Sequence, residues 1–198
     1  MNRMSVDEYR RIADDGAVAL RNRCSNDRGK LFEDLLVRGC RFYEIHKQAK
    51  IGKVYEPYVC TRILKGGRFE GRFIGRAEPD FKGVLRGGQA IAFEAKSTQK
   101  SRIQGNVLTN EQVDWLTGQQ ELGALAFVAV NIQDKFFSLP LDVWINMKKL
   151  YGKKYLMPAD IEEYEVVYDG AVRFLEFVHG GLLNKQMKGS KNDVSENN

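Results

Sequence analysis

The chain has 198 residues, 43% apolar and 29% charged, with 31 Lys and Arg against 26 Asp and Glu for a net charge of +5. That balance excludes a wholly disordered chain, and the length suits one domain with a buried core and a small appendage. The longest uninterrupted apolar stretch, residues 124–130, falls far short of the roughly 20 residues a membrane helix needs.

Residues 5–22 predict a first helix. Ser5 and Glu8 have capping-box spacing, and Val6, Tyr9, Ala13, Ala17 and Leu20 follow at helical intervals. A second helix is expected from Asn26 or Asp27 to about Gln48, with Phe32, Leu35, Leu36, Phe42 and Ile45 on its apolar face. Val54 to Ile74, broken by Lys65-Gly66-Gly67, reads as a β-hairpin. Asp80–Leu85 and Ala90–Ala95 are expected strands joined by a turn at Arg86–Gln89, followed by a polar loop over 97–105. Thr109 and Gln112 again have capping-box spacing and open a helix to about Glu121. Strands are then predicted at 124–132, 135–139 and 165–168, a helix over 140–151 and a closing helix over 171–178. The polar segment 184–198 is expected to be disordered. The order implies an α/β domain with helices flanking a mixed central sheet.

The N-terminus lacks the apolar core of a secretory signal, so a cytoplasmic protein is expected. Cys24, Cys40 and Cys60 are widely spaced, with no C-x-x-C pair, and read as reduced thiols rather than a disulfide framework or zinc site. His46 and His179 are isolated and read as surface or capping residues; Trp115 and Trp144 read as core. Phe136-Phe137 reads as a sheet edge or a dimer contact.

Charge is distributed unevenly. Residues 41–76 hold nine Lys and Arg (Arg41, Lys47, Lys50, Lys53, Arg62, Lys65, Arg68, Arg72, Arg76) against Glu44, Glu56 and Glu70, a surplus exceeding that of the whole chain. Such a segment suits a polyanion such as nucleic acid, with a plain solvated face as the alternative.

The chemical signal is Pro79-Asp80 followed by Glu94-Ala95-Lys96. Alternate strand residues share a face, so Glu94 and Lys96 project together while Ala95 turns into the core. The turn at 86–89 can bring Asp80 level with Glu94. Two carboxylates and the Ala95 carbonyl would then offer oxygen ligands to Mg²⁺ or Mn²⁺. A bound metal polarises a phosphoryl oxygen and lowers the pKa of its water; Lys96 can orient that water and stabilise added negative charge. Glu94 and Lys96 also interrupt an apolar run (Ala90-Ile91-Ala92-Phe93), where charge is costly without a purpose. Taken alone, the pattern is common and also fits an exposed Glu–Lys pair on an edge strand.

Several ordered motifs make the pattern more specific. Asn26-Asp27-Arg28-Gly29…Glu33-Asp34, Asp80-Phe81-Lys82-Gly83, Phe93-Glu94-Ala95-Lys96-Ser97-Thr98, Glu111-Gln112-Val113 and Val172–Val178 resemble, in order, the signature segments of RecU. RecU is the Holliday-junction resolvase family of Gram-positive bacteria and some of their phages, within the PD-(D/E)xK, restriction-endonuclease-like superfamily. The resemblance covers about 26–178. It implies a nuclease domain over 26–183 with a projecting basic stalk at about 54–76, residues 1–25 being a helical extension. It further implies a homodimer in a bacterial cell, bacterial or phage-encoded, making paired Mg²⁺-dependent nicks in four-way DNA junctions during recombination and repair. On that basis Asp80, Glu94 and Lys96 are catalytic, and Asp80, Glu94 and the Ala95 carbonyl hold the metal, with Glu33 as a further outer contact. Arg62, Lys65, Arg68, Arg72, Arg76, Lys100, Arg102 and Gln112 would touch DNA, Gln112 alternatively capping its helix or positioning the site. Recombination proteins are further expected partners, and no membrane contact is expected. Two other readings stay open from the sequence: a less selective duplex nuclease of the same superfamily, and a non-catalytic protein binding branched DNA.

Overall fold

The computed structural model describes residues 27–55, 57–73 and 78–179. The expected first helix, Cys24, Arg76 and the polar C-terminal segment lie outside the described residues. Helix α1 occupies residues 27–45. Then come strands β1 (Ala49–Lys53), β2 (Tyr58–Ile63), β3 (Phe69–Phe73), β4 (Phe81–Leu85), β5 (Ala90–Thr98) and β6 (Ile103–Gln104), followed by helix α2 (Asn110–Glu121). Strands β7 (Leu125–Ile132) and β8 (Lys135–Pro140), helices α3 (Leu141–Ile145) and α4 (Met147–Tyr151), and strands β9 (Tyr155–Leu156), β10 (Val166–Tyr168) and β11 (Val172–Phe177) come next among the described residues.

The central sheet has the order β1-β4-β5-β7-β8. Its one parallel pair, β5 with β7, needs a crossover, and α2 supplies it. The register fixes what each face carries. Phe81, Phe93 and Phe127 lie side by side, with ring centroids 4.8 and 4.5 Å apart, and Phe174 of β11 covers them. Helix α1 packs on this face: Phe32 stacks on Phe136, Tyr43 meets Phe174, and the Tyr43 hydroxyl accepts from the Leu175 amide. Gly39 allows the approach, since a Cβ there would collide with the Val172 carbonyl. The opposite face holds Ala92, Glu94, Val128 and Val130 and takes α2 and α3. Burying one such aromatic ring contributes about 1.5–3 kcal/mol, so the phenyl row dominates the stability of this layer.

The mixed α/β sheet, the hairpin and the α2 capping box all match the sequence expectation. In that box the Thr109 hydroxyl accepts from the Gln112 backbone amide, and the Gln112 side-chain oxygen accepts from the Thr109 backbone amide. Trp144 is buried, Trp115 packs against the core, and Phe136-Phe137 lies on β8 at the end of the sheet order. Cys40 and Cys60 are free thiols; burial pushes the Cys40 thiol up to about 12.

Four local expectations need correction. Segment 171–178 is the strand β11, antiparallel to β10, because Val172 and Phe174 meet α1 and the sheet in an extended chain. Helix α1 ends at 45 rather than 48, with the exposed His46 ring donating from Nδ1 to the Phe42 carbonyl, and β1 follows unannounced. The 97–105 loop is partly ordered: β5 continues to Thr98 along β7, and β6 pairs with β9. The helix over 140–151 is two short helices, since the Asn146 side-chain amide donates to the Asp142 carbonyl at the break.

The hairpin β2–β3 forms its own two-stranded sheet, and every residue of both strands is exposed. Its tip, Lys65-Gly66-Gly67, takes positive φ at both glycines, a conformation that side chains disfavour. The register shifts between Cys60 and Arg62, leaving Thr61 as an extra residue whose hydroxyl donates to the Glu70 carbonyl.

Candidate active site

The β4–β5 ladder ends at Phe81↔Phe93, and the next position inward places Asp80 opposite Glu94. Beyond that point β5 runs on without β4. Its exposed edge is stapled by Asp80, whose Oδ2 accepts from the Ala95 amide at 2.8 Å. An amide and carbonyl of one strand residue point the same way, so the Ala95 carbonyl also lies on this edge. The Ala95 side chain is partly buried against the core, as expected.

Glu94 is 1% exposed, yet one of its oxygens, Oε2, serves two donors. Lys96 Nζ donates at 3.0 Å and the Gln112 side-chain amide at 2.7 Å. Burial first, and then the nearby negative charge of Asp80, push the Glu94 carboxyl up to about 7, against the pull of Lys96. The group is therefore poised between protonated and charged near neutral pH. Asp80, Glu94 and Lys96, chosen from sequence, are brought together, and Gln112 joins them while also closing the capping box.

Glu33 is not gathered in with them. Its carboxylate takes an ion pair from Lys53 at 2.5 Å, with both side chains about a quarter exposed. Lys53 stands next to the site through backbone and charge: the Val54 amide donates to the Asp80 carbonyl, and the Asp80 charge helps to raise the Lys53 ammonium above its ordinary range, behind the larger effect of Glu33. Sequence reasoning counted Lys53 only as part of the basic segment. The signal for its place was the unforeseen strand β1, which pairs Lys53 with Phe81.

The donor set suits a hard divalent cation: two carboxylates pressed together at one strand end, with a backbone carbonyl beside them. A cation there relieves the repulsion that now raises Glu94. Among the described residues no group of three or more His, Cys, Asp and Glu side chains could hold an ion, so the carbonyl and solvent would complete the shell.

Of the residues expected at DNA, Arg62, Lys65, Arg68 and Arg72 are exposed on the hairpin. Directly opposed strand residues share a face, so Val59, Arg62, Glu70 and Arg72 make one face of the hairpin. Tyr58, Cys60, Ile63, Phe69 and Phe73 make the other, with the Tyr58 and Phe69 rings stacked at 5.4 Å. Lys100 and Arg102 are exposed just past β5, and the Arg102 guanidinium lies over the Tyr155 ring at 4.6 Å. No helix among the described residues is long and apolar enough to cross a membrane.

No curated protein matches the chain. Among solved structures it is similar to Hjc of Archaeoglobus fulgidus, described as a Holliday junction resolvase from an archaeal hyperthermophile. That match has 18% sequence identity and a TM-score of 0.42, covering 68% of this chain and 88% of the archaeal one. The model of the family described as RecU, Recombination protein U, matches residues 27–180, a span holding α1 with Glu33, the Asp80–Glu94–Lys96 cluster and Gln112. The family model covers most of the chain, and the chain belongs to the Recombination protein U family.

Proposed function

We propose that this protein is a structure-selective endonuclease that resolves four-way DNA junctions by paired, divalent-metal-dependent nicks. The observation that carries the reading is the meeting of Asp80, Glu94 and Lys96 at one strand end, beside an edge that no other strand among the described residues covers. Asp80, Glu94 and the Ala95 carbonyl would hold Mg²⁺ or Mn²⁺. Bound there, the metal supplies a water of lowered pKa and polarises the scissile phosphoryl group.

The protein's own residues do the rest. Asp80 keeps the β5 edge in place through the Ala95 amide. Gln112 fixes the Glu94 carboxylate in one orientation. Lys96 projects on the same face as Glu94, where its ammonium can orient the attacking water and offset charge gained by the phosphate. Glu33 acts at a remove by holding Lys53 beside Asp80.

Binding is assigned to the charged face of the hairpin, with Arg76 continuing it in sequence and Lys100 and Arg102 next to the cut site. Phosphates and branch shape are what such a surface reads. The apolar face of the hairpin, with Ile63 83% and Phe73 71% exposed, is assigned to a second copy. Paired nicks in opposed strands need two active sites, which a homodimer provides. Recombination proteins are further partners of the assembly.

The test compares a synthetic four-way junction with linear duplex of the same sequence, with Mg²⁺ and with chelator. Symmetric nicks on the junction alone, lost in chelator, are expected. Equal cutting of duplex would replace the reading with a general nuclease, and binding without cutting would replace it with a branched-DNA-binding protein.

A further inference from the structure

We infer that the cavity between the start of α2 and helix α4 is a second phosphate-backbone site, holding the DNA strand that leaves the cut position. The cavity has a volume of about 880 Å³ and is walled by the segment Gln104–Asn106, the first turn of α2, and Trp144, Met147, Lys148 and Lys154. It rests on the endonuclease reading above and extends it to a surface that neither the hairpin nor the metal site includes.

Three observations carry it. First, the cavity shares a wall with the active site. Thr109, Asn110, Glu111 and Val113 line it, while Gln112, in the same turn, reaches the other way to Glu94. A strand bound at the carboxylates therefore arrives at the cavity within one helical turn.

Second, its cations are uncommitted. Lys148 and Lys154 are exposed, and neither ammonium has a carboxylate partner among the described residues. The neighbouring Lys153, in contrast, is held by Asp160 at 2.8 Å. Glu111 is the single carboxylate among the described lining residues, outnumbered by the two lysines.

Third, the positive surface is continuous. Arg102 and Lys153 lie over the Tyr155 ring at 4.6 and 5.0 Å, next to Lys154, whose carbonyl accepts from the Gly105 amide in the cavity wall. Arg102, Lys154 and Lys148 thus border one path beginning beside β5. An extended polyanion matches such a path, whereas a compact anion would use only one end.

The experiment pairs protein and DNA changes. Four-way junctions carry single neutral methylphosphonates at successive positions around the cut, and their binding to wild type, K148A/K154A and K148R/K154R is measured across a salt series. In wild type, substitution at one or two phosphates flanking the cut weakens binding. In K148A/K154A the same substitutions have no further effect, and the slope of log affinity against log salt falls by about 2, as expected for two lost phosphate contacts. K148R/K154R keeps the wild-type slope and the methylphosphonate response. Unchanged slope in K148A/K154A, or full additivity of protein and DNA changes at every position, overturns the inference. Wild type that binds and nicks junctions while the variant matches it condemns only the cavity. Wild type that fails to nick condemns the endonuclease reading, and the salt slopes still judge the cavity.

Discussion

The central sheet and the β2–β3 hairpin are built from the same strand geometry on opposite terms. Every residue of β7 is buried, and β5 is clamped between β4 and β7 with its phenyl row covered by α1 and β11. Every residue of β2 and β3 is exposed, and among the described residues the two strands pair only with each other. An isolated two-stranded hairpin is marginal in water. The core therefore supplies a rigid mount on which chemistry needs positions held to fractions of an ångström. The hairpin supplies surface, and its order depends on what it touches.

The sharpest test of that division is Lys96→Ala. Removing one preorganised cation beside the scissile phosphate is expected to slow nicking about 100- to 1,000-fold in single-turnover assays, with junction affinity retained. Comparable turnover would remove Lys96 from the chemistry.

Phe93→Ala comes next. The ring is fully buried against Phe81, Phe127 and Phe174, so urea unfolding should show a loss of about 3–5 kcal/mol. Tyr58→Ala in the hairpin should cost far less, within about 1 kcal/mol, because its stacking partner is itself exposed. Equal costs would erase the contrast between the two regions.

Glu94 gives a pH test on metal-free protein. Its folded-state carboxyl titrates at about 7, above the ordinary 4.5, so the native state binds the proton more tightly than the unfolded chain. Stability should then fall as pH rises from about 4.5 to 7 and level off above, by an amount on the order of 3 kcal/mol. Glu94→Gln should flatten that part of the profile, measured by thermal melts in chelator.

The smallest effect on folding belongs to the hairpin cations. Arg68→Ala with Arg72→Ala should leave the melting temperature unchanged and reduce the salt slope of junction binding by about 2. An unaltered slope would take DNA away from this face.

Much of this arrangement was legible in the residues, for reasons that can be named. The apolar run at 124–132 reads as a buried strand, set off from α2 by Gly123 just past the helix's C-cap. Gly66-Gly67 marks a reversal because both take positive φ. The Asp80–Glu94 meeting follows from the turn at Gly87-Gly88, which sets the register of β4 on β5. What escaped was structure decided from afar. Ala49–Lys53 has little strand character of its own; it is extended because Gly83 of β4 lies so close that no side chain fits between them. Val172–Phe177 is too short for its apolar spacing to separate helix from strand, and the choice is made by α1 closing on Gly39 and Val172. Missing β1 also hid the placement of Lys53 beside Asp80.

The extra residue at Thr61 has a consequence for how this arm can change. By simple alternation Arg62 would side with Tyr58 and Cys60, and Ile63 with Val59. The offset at Thr61 transposes them, setting Arg62 across from Glu70 and Ile63 across from Phe69. Deleting that single threonine would remove the bulge and leave both surfaces as they are, Arg62 still across from Glu70 and Ile63 across from Phe69, without touching the catalytic end. Loss of one residue here is therefore expected to be tolerated, whereas a further single loss would exchange the guanidinium and the branched aliphatic between the two flanks.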